Sequence, residues 1–321
     1  MTQHSLSLWL GGVLFATSVS AAGAAEFSLQ QTLAAAVHYS AELSANRNQS
    51  DALSSMADSA RQLPDPKLKF GIENVPVQGS NRQRFTREGM TMQRIGIMQE
   101  YVSEEKRERK AATILAQSAS SAAKAGVIKA TLQRAAAQAW LDLALSHKVL
   151  RTAQKLVAET ERQVDVQKAT VASGSSPASS VVEIRMALLG MRDKVTLAQR
   201  DVTLARTRLL QLTGENIDDI SGTLPRYQRL PADPAVLEQN IGQHPEVIEA
   251  AREADVAKAR SAQSAVAAQP NVGVEVYYAH RADDYDDMAG VMFTVDLPMF
   301  KSRRQDKDLA AEMSRAMEAN D

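Results

Sequence analysis

Apolar positions along the chain follow two periods, and the switches between them outline the elements. Leu29, Leu33, Val37, Leu43, Leu53 and Met56 are scattered at helix-compatible intervals between Ser28 and Leu63, a stretch without Gly or Pro. Pro64-Asp65-Pro66 stops that helix, because proline lacks the N–H and clashes with the preceding turn. Lys67-Leu68-Lys69-Phe70-Gly71-Ile72-Glu73 then alternates with period two, the pattern of a strand with one apolar and one polar face. A polar loop from Pro76 to Glu88 leads to a second strand at about Met90 to Gln99. The pattern predicts a β-hairpin set between helices.

Glu104 to Val171 holds one Gly and no Pro. Helical rise of about 1.5 Å per residue makes this a helix of roughly 100 Å. Its later part carries a seam whose spacing alternates four and three: Leu132, Ala136, Ala139, Leu143, Ser146, Leu150, Ala153, Val157, Thr160, Val164, Gln167 and Val171. Such spacing is a coiled-coil stripe. One of its columns is small or polar (Ala139, Ser146, Ala153, Thr160, Gln167), which suits either alanine-rich packing or a close-packed helical wall. Ser173-Gly174-Ser175-Ser176-Pro177 interrupts the helix, and a second seam returns at Val181, Ile184, Leu188, Met191, Val195, Ala198, Val202, Ala205, Leu209 and Leu212. Thr213-Gly214 closes it. Two matched seams joined by a short turn predict an antiparallel helical hairpin.

The pattern then repeats. At a shift of 204, Leu33 meets Leu237, Val37 meets Ile241, Glu42-Leu43 meets Glu246-Val247, Asp51 meets Asp255, and Pro66 meets Pro270. Leu68, Phe70 and Ile72 fall on Val272, Val274 and Val276. A loop from Ala279 to Asp287 separates this strand from another at Ala289 to Leu297. At a shift of 197, Lys106 to Lys110 meets the charged run Lys301 to Lys307. The fold class expected is mainly α with a small β part, in two tandem units of helix, β-hairpin, long helix and returning helix.

Composition narrows the classes. Over 321 residues the formal net charge is −1, which gives no electrostatic footprint for nucleic acid. Aromatics are only 4% and alanine is dense between Ala111 and Ala139, favouring closely packed long helices. There is no cysteine, hence no disulfide, no thiolate metal site and no lipidated cysteine. Residues 1–25 read as a signal peptide: a short apolar stretch from Leu6 to Phe15, then Ala21-Ala22-Gly23-Ala24-Ala25, with cleavage after Ala24 or Ala25. No later apolar run reaches the roughly 20 residues of a spanning helix. Entry into a membrane would then require a closed β-barrel.

Several groups carry candidate chemistry. Asp283, Asp284, Asp286 and Asp287 beside His280 suit either a divalent cation or a solvated loop. Met90, Met92 and Met98 suit either a soft metal ion or ordinary strand positions. The runs Glu104–Lys110 and Lys301–Lys307 suit either headgroup anchoring or solvated ion pairs. His38, His147 and His244 stand alone. No nucleophile elbow, phosphate loop or zinc motif is present, so neither enzyme activity nor a cofactor is expected.

The order of elements resembles the TolC outer-membrane factor family. The residues that carry the resemblance are Pro64-Asp65-Pro66 before the first strand, Gly174-Ser175-Ser176-Pro177 at the helical tip, Leu209 to Gly214 closing the returning helix, and Asp296-Leu297-Pro298-Met299-Phe300 before the last helix. Residues 66–75 and 90–101 are most similar to the heavy-metal efflux branch. The resemblance implies a homotrimer in the outer membrane with a periplasmic helical extension, four strands per protomer in a shared twelve-stranded barrel, a periplasmic adaptor, and an inner-membrane pump of the RND type. It places adaptor docking at Ser173, Gly174, Ser175, Ser176 and Pro177, and an extracellular loop at Asp283, Asp284, Asp286 and Asp287. Lys67, Lys69, Glu73 and Glu275 would then face the lumen, with Phe70 and the valines facing lipid. The expected function is a passive conduit for small solutes or metal ions. The alternatives are a type I protein-secretion component, a non-functional fragment, or a periplasmic adaptor.

The organisation expected is a signal peptide at 1–25, a first unit at 26–230 and a second at 231–321. In the first unit strands are expected at about 67–75 and 90–99, with the helical hairpin at about 104–213. In the second, strands are expected at about 271–279 and 289–297. Against the first unit, the second is expected to be C-terminally truncated, lacking most of its long helix, its tip and its returning helix.

Overall fold

The structure is a computed structural model that describes residues 26–224, 232–297 and 301–318, with side chains of the last segment described over 307–315. The signal peptide expected at 1–25, Pro298-Met299-Phe300 and the boundary near 230 lie outside the described residues. The elements are β1 (Glu26–Phe27), α1 (Leu29–Tyr39), α2 (Ala41–Ala60), β2 (Lys67–Glu73), β3 (Met92–Tyr101), α3 (Glu104–Ala172), α4 (Ser179–Thr213), β4 (Asp219–Ile220), α5 (Pro234–Gln239), α6 (Pro245–Val266), β5 (Val272–Arg281), β6 (Met288–Val295) and α7 (Lys301–Glu318). The fold is mainly α with a small β part, as the periodicities predict.

The chain clusters into two units. One consists of residues 26–36 and 136–224, the other of 37–135 and 232–318. In the first, the later part of α3 packs against α4 along the two seams. Ala139, Leu143, Val202, Ala205 and Leu209 are buried there together with Trp140 and Ile217. β1 pairs in parallel with β4, and the Trp140 indole N–H donates to the Phe27 carbonyl at 2.9 Å. The seam thus ends on a two-stranded sheet fragment. Gly214 has φ +71, and its N–H donates to the Leu210 carbonyl at 2.8 Å, a left-handed cap that satisfies an orphan carbonyl of α4.

The second unit contains a four-stranded antiparallel sheet in the order β2-β3-β5-β6. Its central seam, β3 with β5, joins the hairpin of one repeat to that of the other over ten paired positions, Met92↔Arg281 to Tyr101↔Val272. β5 therefore runs on to Arg281, past Ala279 where the loop was expected to start, because the last three residues find partners on β3. Helix α2 lies against α3 through small polar residues: the Ser50 hydroxyl donates to the Ser118 carbonyl at 3.1 Å and the Ser118 hydroxyl to the Ser50 carbonyl at 2.9 Å.

One helix was expected over Ser28 to Leu63, and two are found. The break falls at Ser40, whose side chain accepts the Leu43 N–H at 3.1 Å and caps α2. Capping of this kind is worth about 1 kcal/mol. At the 204-residue shift Ser40 falls on His244, whose ring accepts the Glu246 N–H and caps α6. At the 197-residue shift the first residue of α3, Glu104, falls on the first residue of α7, Lys301. The internal repeat holds at the level of helix boundaries.

Candidate functional site

Strand alternation and the pairing register sort the sheet into two faces. One carries Leu68, Phe70, Ile72, Ile95, Ile97, Val274, Val276, Val291, Phe293 and Val295. Most of these side chains are exposed, with Phe70 at 83%, Phe293 at 69% and Leu68 at 63%. The opposite face carries Lys67, Lys69, Glu73, Arg94, Glu100, Glu275, Tyr277 and Arg281. Its four strand methionines, Met92, Met98, Met288 and Met292, lie on this charged face as well.

The charged face is a connected network. Lys69 Nζ stands 2.7 Å from one oxygen of Glu275, and Arg94 Nη2 stands 2.6 Å from the other. Arg94 Nη1 reaches Glu73 at 2.9 Å. Its guanidinium also lies over the Tyr277 ring, 3.7 Å from the centroid, a stacked cation–π contact. The Glu275 side chain is only 4% exposed although it sits on an open sheet face. Two glycines make room for Tyr277. A Cβ at Gly290 would come within 2.5 Å of the ring, and one at Gly96 within 2.9 Å of the Tyr277 Cβ and 3.0 Å of the Val276 carbonyl. Lys67 stands apart from this cluster, 3.9 Å from Glu100.

The four charges proposed from sequence therefore share one face, and three of them meet. The residues that join them, Arg94 and Tyr277, were not singled out from sequence. Period-two alternation from Met92 places Arg94 on the charged face, but the partnership itself spans 181 residues and is invisible to local pattern.

At the hairpin tip, α3 ends in a Schellman motif. Gly174 has φ +75, its N–H donates to the Val171 carbonyl at 3.0 Å, and the Ser175 N–H donates to the Thr170 carbonyl at 2.9 Å. Ser173, Gly174, Ser175 and Pro177 are exposed and Ser176 is half-buried. Gln167 Nε2 donates to the Ser180 hydroxyl at 2.7 Å and ties the two helices just inside the turn.

Of the four carboxylates in the acidic loop, only Asp287 meets His280. Asp287 accepts from the Tyr278 hydroxyl, from the Arg281 N–H at 3.3 Å, and pairs with His280 Nδ1 at 2.7 Å. The Tyr278 hydrogen bond, then His280 and the Arg281 N–H, hold the Asp287 carboxyl below the usual carboxylate range, burial opposing them. Asp283 and Asp284 have left-handed backbones, φ +63 and +53. Among the described residues no group of three or more His, Asp or Glu gathers as for a metal ion.

The charged run at the start of α3 is largely engaged within the protein. Lys106 Nζ reaches the Gln269 carbonyl at 3.0 Å and Asn271 Oδ1 at 2.7 Å, and Arg107 donates to the Arg61 and Val102 carbonyls. These bonds fasten the strand–helix junctions to one another. His147 lies 3.5 Å from Asp219.

The chain matches no protein-family profile and no curated protein. Its fold is that of solved outer-membrane channels at low sequence identity. The VceC outer membrane protein of Vibrio cholerae is 15% identical over 91% of this chain and 73% of its own, with a TM-score of 0.69. The CmeC outer membrane channel of Campylobacter jejuni is 10% identical over 98% of this chain and 74% of its own, with a TM-score of 0.70. CusC, whose structures concern folding and transmembrane channel formation, is 14% identical over 91% of this chain and 72% of its own, with a TM-score of 0.65. Among the described residues no helix is long and apolar enough to cross a membrane.

Proposed function

We propose that this chain is a subunit of an outer-membrane efflux channel of the TolC type, a passive conduit and not an enzyme. The observation that carries the reading is the two-faced sheet: an exposed apolar face backed by a charged face, in a sheet whose outer strands, β2 and β6, each pair on one side only. Water makes that apolar face costly, at about 25 cal/mol per Å². Lipid removes the cost, but lipid tolerates no unpaired backbone edge, so the sheet must close with strands from other copies. Four strands per copy in a homotrimer give twelve, wide enough for a water-filled bore. Phe70, Phe293 and the valines then face lipid, while Lys67, Lys69, Glu73 and Glu275 line the lumen.

The helical hairpin formed by α3 and α4 becomes a periplasmic extension, and its tip at Ser173–Pro177 docks a periplasmic adaptor that links it to an inner-membrane RND-type pump. Within this reading the cargo is small solutes or metal ions, and residues 66–75 and 90–101 favour the heavy-metal branch.

The test is expression in a Gram-negative host with fractionation, native electrophoresis and adaptor crosslinking. The mature protein is expected in the outer membrane as a heat-dissociable trimer. Gly174→Val is expected to leave that trimer intact while lowering adaptor crosslinking and efflux. Recovery of the wild type as a soluble monomer overturns the reading.

A further inference from the structure

The two hairpin loops at one end of the sheet carry opposite charge. The β2–β3 loop presents Arg82, Arg84 and Arg87, all exposed. The β5–β6 loop presents Asp283, Asp284 and Asp286, also exposed. Among the described residues none of these six side chains makes a hydrogen bond or an ion pair, although the loops are neighbours.

The neighbouring loops hold each other by other means. Arg281 Nε donates to the Gly89 carbonyl at 2.8 Å, and its guanidinium lies 4.6 Å from the centroid of the Tyr285 ring. That ring occupies the space where a Gly89 Cβ would be. The Ala282 N–H donates to the Thr91 carbonyl at 3.0 Å. Asp287, the fourth carboxylate of the loop, is taken by Tyr278 and His280. Loop contact within one chain is therefore satisfied while three cations and three carboxylates are left over.

The sheet order says where the leftover charges can meet. The basic loop leaves edge strand β2 and the acidic loop enters edge strand β6, and these are opposite edges of the sheet. Closing a ring of copies joins β6 of one to β2 of the next. Each junction then sets an acidic loop beside the basic loop of the neighbouring copy, so the charges alternate around the rim.

We propose that these loops form an electrostatic clamp between copies of this chain, with Arg82, Arg84 and Arg87 of one copy facing Asp283, Asp284 and Asp286 of the next. The clamp rests on the channel reading above and adds to it the residues that select the neighbour. Exposed ion pairs are individually weak and are screened beyond about 10 Å at 0.1 M salt. Their signature is accordingly a salt-dependent trimer.

The experiment measures the monomer fraction of detergent-solubilised trimers after mild heating, at low and high salt. Three variants are compared with wild type: R82E/R84E/R87E, D283N/D284N/D286N, and all six changes together. Asparagine is chosen because it tolerates the left-handed backbone at 283 and 284. The arginine reversal is expected to raise the monomer fraction about tenfold at low salt. The asparagine set should raise it less, and the combined variant should fall back to the level of the asparagine set, since it removes the repulsion that the reversal creates. High salt should raise the wild-type fraction and flatten the differences.

Trimers that ignore the reversal overturn the clamp and leave the channel reading standing. The same holds if the reversal only strips co-purifying phosphorylated lipid, which would assign the arginines to membrane headgroups. A combined variant no better than the arginine reversal also overturns the clamp. A wild type that never forms trimers overturns both.

Discussion

Arg94 Nη2 lies 2.6 Å from Glu275 Oε1, an ion pair between residues 181 positions apart that ties the hairpin of one repeat to the hairpin of the other. It sits on the central seam of the sheet, where β3 meets β5. Lys69 and Glu73, both on β2, attach to the same two side chains. The pair is thus the point where three of the four strands share one electrostatic contact.

Removing one partner of a well-shielded pair strands the other charge. Glu275→Gln and Arg94→Met are both expected to lower the heat stability of the detergent-solubilised protein. Lys69→Ala should lower it less, because Glu275 keeps its guanidinium. Thermal unfolding of the three variants side by side checks the order, and equal effects would remove the pair from its central place.

Gly96 and Gly290 both flank Tyr277 but meet different atoms. Alanine at Gly96 would collide with the Tyr277 Cβ and the Val276 carbonyl, neither of which can leave. Alanine at Gly290 would collide only with the far end of the Tyr277 ring. Both substitutions are expected to destabilise by about 1–3 kcal/mol through overpacking. Adding Tyr277→Ala should rescue Gly290→Ala and fail to rescue Gly96→Ala. Unfolding of the two double variants against Tyr277→Ala alone decides it.

His147 titrates below its ordinary value. Burial pushes the imidazole down, Asp219 opposes this, and the Arg206 and Arg151 charges reinforce it. A folded-state value below the unfolded one means that the unfolded chain binds the proton better. The stability tied to His147 is then fully present above about pH 6.5 and is lost as pH falls from there through the folded value. Amide protection factors around Trp140 and Asp219, corrected for the intrinsic exchange rate at each pH, should fall between pH 7.5 and 5.5. His147→Gln should remove that dependence, and an unchanged pH profile in the variant would assign it to another group.

The α4 seam predicts a contrast between near neighbours. Leu209 is wholly buried against Trp140 and Leu143, whereas Leu204 is exposed. Leu209→Ala should cost about 2–5 kcal/mol, and Leu204→Ala about 0.5 kcal/mol or less in the isolated chain. Equilibrium unfolding of the two variants tests the heptad assignment. Similar losses would mean that the seam is out of register.

Much of the fold was legible because its signals are local. All the seam residues read from spacing along α3 and α4 are buried or half-buried, since a heptad stripe needs only one facing helix to be filled. The stop of α3 before Gly174 follows from glycine and turn chemistry. The break at Ser40 was missed because a serine inside an apolar pattern does not announce whether its hydroxyl caps a helix or faces solvent. The repeat showed through weak matches whose order was consistent, and the caps at Ser40 and His244 fall on the same shift.

What the sequence determined by itself was therefore the alternation of periods: which stretches are helix, which are strand, and which strand positions share a face. Lys67, Lys69 and Glu73 were on one side of β2 by alternation alone, as Glu275 was on one side of β5. Only the tertiary structure decided that these two sides are the same side, that Arg94 and Tyr277 stand between them, and that Gly96 and Gly290 clear the space. The physical reason is register. Side-chain direction along a strand repeats every two residues, but the partner across the ladder is chosen by pairing between segments some 200 residues apart, and no local pattern carries that choice.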